Sequence, residues 1–271
     1  MSAHCKTAVI TGASTGLGRV FARALVQAGW QVHGTSRSPD RMDQPEAGVR
    51  YWKLNLGDVG SRTQFLESIL STVGVPDLVI GNAGSGIFGA YEDLSREQEM
   101  ELWEVLLHGP LHLVRGFLKG MRQRGDGTII SISSLAAEMP IPYCAVYNGA
   151  KSALSHTLQS LMMEWSGGPW LKDVRLGDFR TGFNQAMQRV QPVAVDSERW
   201  QRVWDKVEKH LQESPLPDSL ESRIVRLAER TGHETVRWGS FFQAKVASCG
   251  ASWFSERWLR NCIQRYYGVS N

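Results

Sequence analysis

Short apolar runs alternate with helical patterns along most of the chain, and this alternation constrains the fold more than any other feature. Lys6–Thr11, Gln31–Thr35, Tyr51–Asn55, Asp77–Gly81 and Thr128–Ser133 read as brief strands drawing on Val, Ile and Leu. Between them, apolar residues recur at helical spacing over Gly16–Ala28, Val59–Val73, Arg96–Arg124 and Ala145–Trp165. Further strands are expected near Asp173–Phe179 and Glu234–Trp238. Strand after helix after strand implies a parallel sheet covered on both faces. The expected class is α/β, a doubly wound, Rossmann-like single domain. The longest helical pattern contains Gly109-Pro110. A kink or break is expected there, because proline lacks an N–H and crowds the preceding turn.

The turn after the first strand reads "TGASTGLG", Thr11 to Gly18, and places Gly12, Gly16 and Gly18 between strand and helix. Such a turn lets the backbone bend sharply and lets another group approach it. A helix N-terminus offers unpaired N–H groups and partial positive charge, which suit a diphosphate. A tight turn with no ligand is the plainer alternative. Its position after the first strand favours a nucleotide site.

A chain of 271 residues, 42% hydrophobic, suits one domain with a large core. The net charge of +3 gives no ground for nucleic acid as a partner. Cys5, Cys144, Cys249 and Cys262 show no metal-ligand spacing. No metal is expected, and a reduced, cytoplasmic chain is the better reading. No leader segment is expected before the first strand, and no apolar run reaches membrane-spanning length. Seven of the ten tryptophans lie from Trp165 onward, which suggests a C-terminal third covering something large and apolar. Residues 1–239 are read as the catalytic domain, with a substrate-covering insertion near 182–217. In that insertion Trp200, Val203, Trp204, Val207 and Leu211 share a helical face. Another helix is expected near Asp218–Arg230, and residues 240–271 form a tail.

Three more motifs follow the glycine turn in order. "GNAG" spans Gly81–Gly84, "ISISS" spans Ile130–Ser134, and "YNGAK" sets Tyr147 four residues before Lys151. As an ordered set over residues 5 to 183, they resemble the short-chain dehydrogenase/reductase family. The resemblance implies hydride transfer between a nicotinamide cofactor and a carbonyl or alcohol. Tyr147 is then the general acid/base, Lys151 its activator and Ser134 the donor that positions the substrate oxygen. Lysine four residues on faces the same side of a helix, and its charge favours the phenolate. Thr11, Gly12, Ser14, Gly16, Leu17, Gly18, Arg37, Asn55, Asn82, Ala83, Gly84 and Thr181 are the expected cofactor contacts, with Tyr147 and Lys151.

Ser36 stands where family members that prefer NAD carry an acid. Without that acid nothing repels a 2′-phosphate, and Arg37 can pair with it, so NADP(H) is expected. Two departures from the family pattern stand out. Leu106 replaces an Asn that supports the family's proton relay, and Leu176-Gly177 replaces Pro-Gly. These departures keep open a catalytically weakened, nucleotide-binding or regulatory protein. Epimerases and dehydratases share the scaffold, but usually with a sugar-nucleotide domain that is not evident here.

Ser85, Phe88, Met139, Cys144, Phe179 and Phe183 are the expected substrate-pocket residues. They are mostly apolar, so a small hydrophobic ketone, aldehyde or alcohol is the expected substrate. In the tail, Phe254, Trp258, Cys262 and Tyr266 recur every four residues, with arginines largely on the other faces. Such a helix suits docking on its own domain, on another subunit, or on an anionic membrane as a peripheral contact. The family resemblance implies a homodimer or homotetramer.

Overall fold

The computed structural model describes residues 5–183, 186–193, 196–240 and 255–269. Seven parallel strands form one sheet in the order β3-β2-β1-β4-β6-β7-β9. They are β1 (Thr7–Ile10), β2 (Gln31–Ser36), β3 (Val49–Lys53), β4 (Leu78–Gly81), β6 (Thr128–Ile132), β7 (Trp170–Leu176) and β9 (Glu234–Trp238). Two short strands, β5 (Ile87–Phe88) and β8 (Gln188–Arg189), pair separately. The helices are α1 (Gly16–Gln27), α2 (Val59–Thr72), α3 (Arg96–Trp103), α4 (Gly109–Arg124), α5 (Ala145–Met163), α6 (Ser197–Glu213), α7 (Glu221–Glu229) and α8 (Glu256–Tyr267). The fold is α/β and doubly wound, as the alternation predicts. Strand order reverses between β1 and β4, so their outgoing loops part and open a crevice.

Two strands sit earlier than the sequence pattern suggests. β3 pairs with β2 from Val32↔Val49 to Ser36↔Lys53, so Leu54 and Asn55 already belong to the turn. β7 begins at Trp170 because its register with β6 starts at Thr128↔Trp170. The long helix breaks where expected, through a π turn at Glu104–His108. This places Pro110 in the first turn of α4, where a missing N–H costs little. A side chain at Gly109 would come within 2.8 Å of the Leu56 carbonyl oxygen, so the break also needs glycine.

Helices cover both faces. Phe21 and Leu25 of α1 pack with Ile224 and Leu227 of α7 on one side. On the other, Phe65 and Ile69 of α2 meet Leu113, Phe117 and Met121 of α4. A third cluster explains part of the tryptophan skew. Trp200 and Trp204 of α6 hold Phe88 between them, with ring centroids 5.2 and 5.1 Å away. Fully buried Lys172 of β7 donates to the carbonyls of Leu227 and Arg230, at 2.5 and 2.6 Å, closing the end of α7 against the sheet.

The C-terminal helix docks on its own domain. Lys206 Nζ of α6 donates to the Tyr266 carbonyl at 3.3 Å, and Arg199 donates to that of Val269. His210 stacks on Tyr266 with centroids 4.6 Å apart. Phe254 and Cys249 lie outside the described residues. Among the described residues, no helix is long and apolar enough to cross a membrane.

Candidate active site

A cleft of about 440 Å³ opens at the carboxyl ends of β1 and β4. That volume lies within the range of small-molecule sites. At its floor Gly12 and Gly16 adopt left-handed backbone, with φ of +67° and +53°. Gly12, Ser14, Gly16, Leu17, Arg37, Asn55, Asn82, Ala83, Gly84 and Thr181 line the cleft. Two residues of the expected set do not. A Cβ on Gly18 would stand 2.1 Å from the Gly12 carbonyl oxygen, so this glycine packs helix against turn. Thr11 is buried, and its hydroxyl accepts the N–H groups of Asn82 and Ala83 at 2.9 and 3.0 Å. Asn82 Nδ2 donates back to the Thr11 carbonyl at 3.0 Å, tying the glycine turn to the end of β4.

α1 begins at this turn with no acid in its first turn and no side-chain cap from Thr15. Its first N–H groups are therefore free of side-chain anions, as an incoming diphosphate requires. Arg37 is exposed at the rim, beside Ser36, whose hydroxyl accepts the Ser38 N–H at 3.2 Å. Asn55 Oδ1 accepts the Gly57 N–H at 3.1 Å and so is already engaged in its turn. The positive-φ glycines, uncapped helix and rim arginine fit a phosphorylated dinucleotide.

Ser134 follows β6 and caps a short 3₁₀ turn, its hydroxyl accepting the Ala136 N–H at 3.0 Å. Tyr147 lies in the first turn of α5, and Lys151 one turn later. Tyr147 and Ser134 both line the cleft, with the Ser134 hydroxyl placed to favour the Tyr147 phenolate. Lys151 Nζ is buried, donates to the Ile132 carbonyl at 2.8 Å and stands 5.9 Å from the Tyr147 ring centroid. Burial pushes the Tyr147 hydroxyl up to about 12, partly offset by Ser134. Burial lowers Lys151 to about 8, against the pull of Asp173. The expected lowering of Tyr147 by lysine is thus outweighed by desolvation, and the tyrosine rests as a neutral acid.

Behind these residues lies a network that sequence reasoning missed. Asp173 of β7 is fully buried, and its carboxylate accepts from Ser133, from Ser155 Oγ at 2.6 Å and from Arg175 Nε at 3.1 Å. Arg175 also pairs with Glu138, which accepts from Arg237 Nη2 of β9 at 2.6 Å. Burial would raise Glu138, but Arg237 and Arg175 hold its carboxyl below its ordinary value. No local spacing signals this network, because its members come from separate strands, a turn and a helix.

On the substrate side Ser85, Cys144, Phe179 and Phe183 line the cleft. Phe88 does not: it is fully buried in the aromatic cluster beneath. Met139 is half-buried beyond the Ser134 turn and also lies off the cleft. Burial pushes the Cys144 thiol up to about 12, so it serves as wall rather than nucleophile. Sequence reasoning missed Met187, His210 and Tyr267 as cleft residues. Val207 and Leu211 were legible only as an apolar helix face. Leu106 is buried within the π turn, lines the cleft and packs against Gly84, offering no polar atom.

Comparison with known proteins adds four observations. The family model described as short chain dehydrogenase matches residues 6–209. Over 268 residues the chain is 29% identical to a 3-ketodihydrosphingosine reductase of Bacteroides thetaiotaomicron, covering 96% of this chain and 97% of that one. It is 26% identical to an alcohol dehydrogenase of the archaeon Thermococcus sibiricus, solved with 5-hydroxy-NADP. That superposition covers 88% of this chain and 98% of the other, with a TM-score of 0.70. A short-chain dehydrogenase from Streptomyces avermitilis, 24% identical, superposes at TM-score 0.79 over 99% of this chain and 98% of its own, a likeness of fold.

Proposed function

We propose that this chain, which belongs to the short-chain dehydrogenase family, reduces a hydrophobic ketone or aldehyde with NADPH, the reverse alcohol oxidation using the same site. One observation carries the reading: Ser134, Tyr147 and Lys151 meet in a cleft whose glycine floor suits a dinucleotide and whose opposite wall is largely apolar. A bound nicotinamide dinucleotide would supply the hydride. Ser134 holds the carbonyl oxygen beside the Tyr147 hydroxyl. Tyr147, kept neutral by burial, delivers its proton to that oxygen as charge develops there. Lys151 stabilises the phenolate left behind. The Bacteroides relative is named as reductase of a 3-keto compound, which supports reduction of a ketone.

Preference for NADPH rests on Arg37 at the rim and on the absence of an acid at Ser36. NADPH is expected to bind at least about tenfold more tightly than NADH, since a charge-assisted pair contributes roughly 1.5–3 kcal/mol. Arg37→Ala should remove most of that difference and leave NADH affinity nearly unchanged. Fluorescence titration measures both, and equal affinities in the wild type would refute the assignment.

Assembly as a homodimer or homotetramer through the long helices belongs to the same reading by family resemblance, and a cytoplasmic location by the cysteine usage. A peripheral membrane contact draws support from exposed Trp258 beside Arg257 and Arg260 on α8, and vesicle sedimentation reads it. The rival, a weakened nucleotide-binding or regulatory protein, is favoured by Leu106. A panel of hydrophobic ketones with NADPH decides between them.

A further inference from the structure

The substrate end of the cleft is roofed by elements outside the motif-bearing half of the chain. Val207, His210 and Leu211 come from α6, Met187 from the start of the insertion, and Tyr267 from the last residue of α8. Tyr267 is held there firmly. Gly268, with φ +71°, turns the chain so that the Val269 N–H closes on the Gln264 carbonyl at 2.8 Å and Val269 is buried. Arg199 and Lys206 of α6 then grip the carbonyls of Val269 and Tyr266. Tyr266 stacks on His210 and meets Tyr267 edge to face, with centroids 5.0 Å apart.

A roof made only for an apolar body would need no hydroxyl. Tyr267 brings one into the cleft, and among the described residues no hydrogen-bond partner holds it. Tyr267 and Tyr147 both pack against the buried cluster that holds Cys144, which places the two phenols at the same end of the cleft. Burial pushes the Tyr267 phenol well above its ordinary value, so it stays neutral and is able to donate or accept. A ligand that covered this hydroxyl with hydrocarbon would strand a buried polar group.

From this geometry we infer that Tyr267 is a specificity-determining residue, and that the substrate carries, close to its carbonyl, a second hydrogen-bonding group, a hydroxyl or amine, that Tyr267 receives. The inference rests on carbonyl reduction at Tyr147 and narrows it. The substrate is then a ketone with an apolar body and a polar substituent beside the reacting carbon. A site built to pair such a group discriminates strongly against the analogue lacking it.

The test compares acetophenone with α-hydroxyacetophenone in the full-length protein with NADPH, in the wild type and in Tyr267→Phe. The substitution removes one oxygen and keeps the ring, so the α6–α8 contacts persist. The intrinsic reactivity of the two ketones cancels when their kcat/KM ratio is compared between proteins. The preference for the hydroxyketone is expected to fall about tenfold in Tyr267→Phe, the loss of one buried hydrogen bond, chiefly through its KM. A ratio unchanged within about twofold overturns the role of Tyr267 while leaving carbonyl reduction intact. Failure of the wild type to reduce either ketone overturns carbonyl reduction and this inference together.

Discussion

Tyr147→Phe is expected to cut ketone reduction about a thousandfold, the usual scale for losing a positioned general acid. The phenylalanine ring fills the same space in the first turn of α5, so Ser134 and Lys151 keep their places. What is lost is the phenol proton that stands beside Ser134 in the cleft. NADPH should still titrate with a saturable signal, because the glycine turn and Arg37 are untouched. Near-normal turnover in this variant would exclude Tyr147 as the acid and strengthen the regulatory reading that Leu106 suggests.

The same site sets a pH dependence whose sign follows from Lys151. Its ammonium is the charged form of a base, and burial lowers it to about 8. It is therefore charged below about pH 8 and neutral above, whereas Tyr147, held near 12, keeps its proton throughout. As Tyr147 gives up its proton, only a charged lysine stabilises the phenolate. Reductive kcat/KM should be level below about pH 8 and fall above it. Lys151→Met should lie on the low branch at every pH. A profile rising through that range would contradict the assignment.

The legible parts of the molecule were those written in local spacing. Strand and helix alternation gave the sheet, Gly109-Pro110 gave the break in the long helix, and three ordered motifs gathered Ser134, Tyr147 and Lys151. The errors came where spacing ends and packing begins. Phe88 follows a strand edge in sequence but is claimed by two tryptophans more than a hundred residues later. Gly18 and Thr11 belong to a ligand-binding motif, yet one is needed for clearance and the other for hydrogen bonds within the turn. The tail's apolar stripe left α8 open to its own domain, another subunit or a membrane, and gave no sign that its last residue lines the cleft. Nor does any motif announce four buried or half-buried charges joined across β7, β9 and the Ser134 turn.

That network carries the second large effect. Asp173 bonds Ser133, which precedes Ser134, and Ser155, which lies one turn beyond Lys151. It therefore clamps the end of β6 to α5, the two elements that position Ser134, Tyr147 and Lys151. Asp173→Leu removes the carboxylate and leaves the Arg175 guanidinium buried with Glu138 alone to oppose it. Breaking a buried pair in this way typically costs about 3–5 kcal/mol, and urea denaturation should show a loss of that size. Asp173→Asn separates charge from shape. The amide still reaches Ser133 and Ser155, so the loss of stability should be smaller, but the negative charge that raises Lys151 is gone. Lys151 then loses its proton more readily, and the falling limb of the pH–rate profile should begin at lower pH than in the wild type. A purely structural clamp would lower stability and leave that limb in place. Wild-type stability in Asp173→Leu would mean that Arg175 finds its compensation elsewhere and that the clamp does not hold the site.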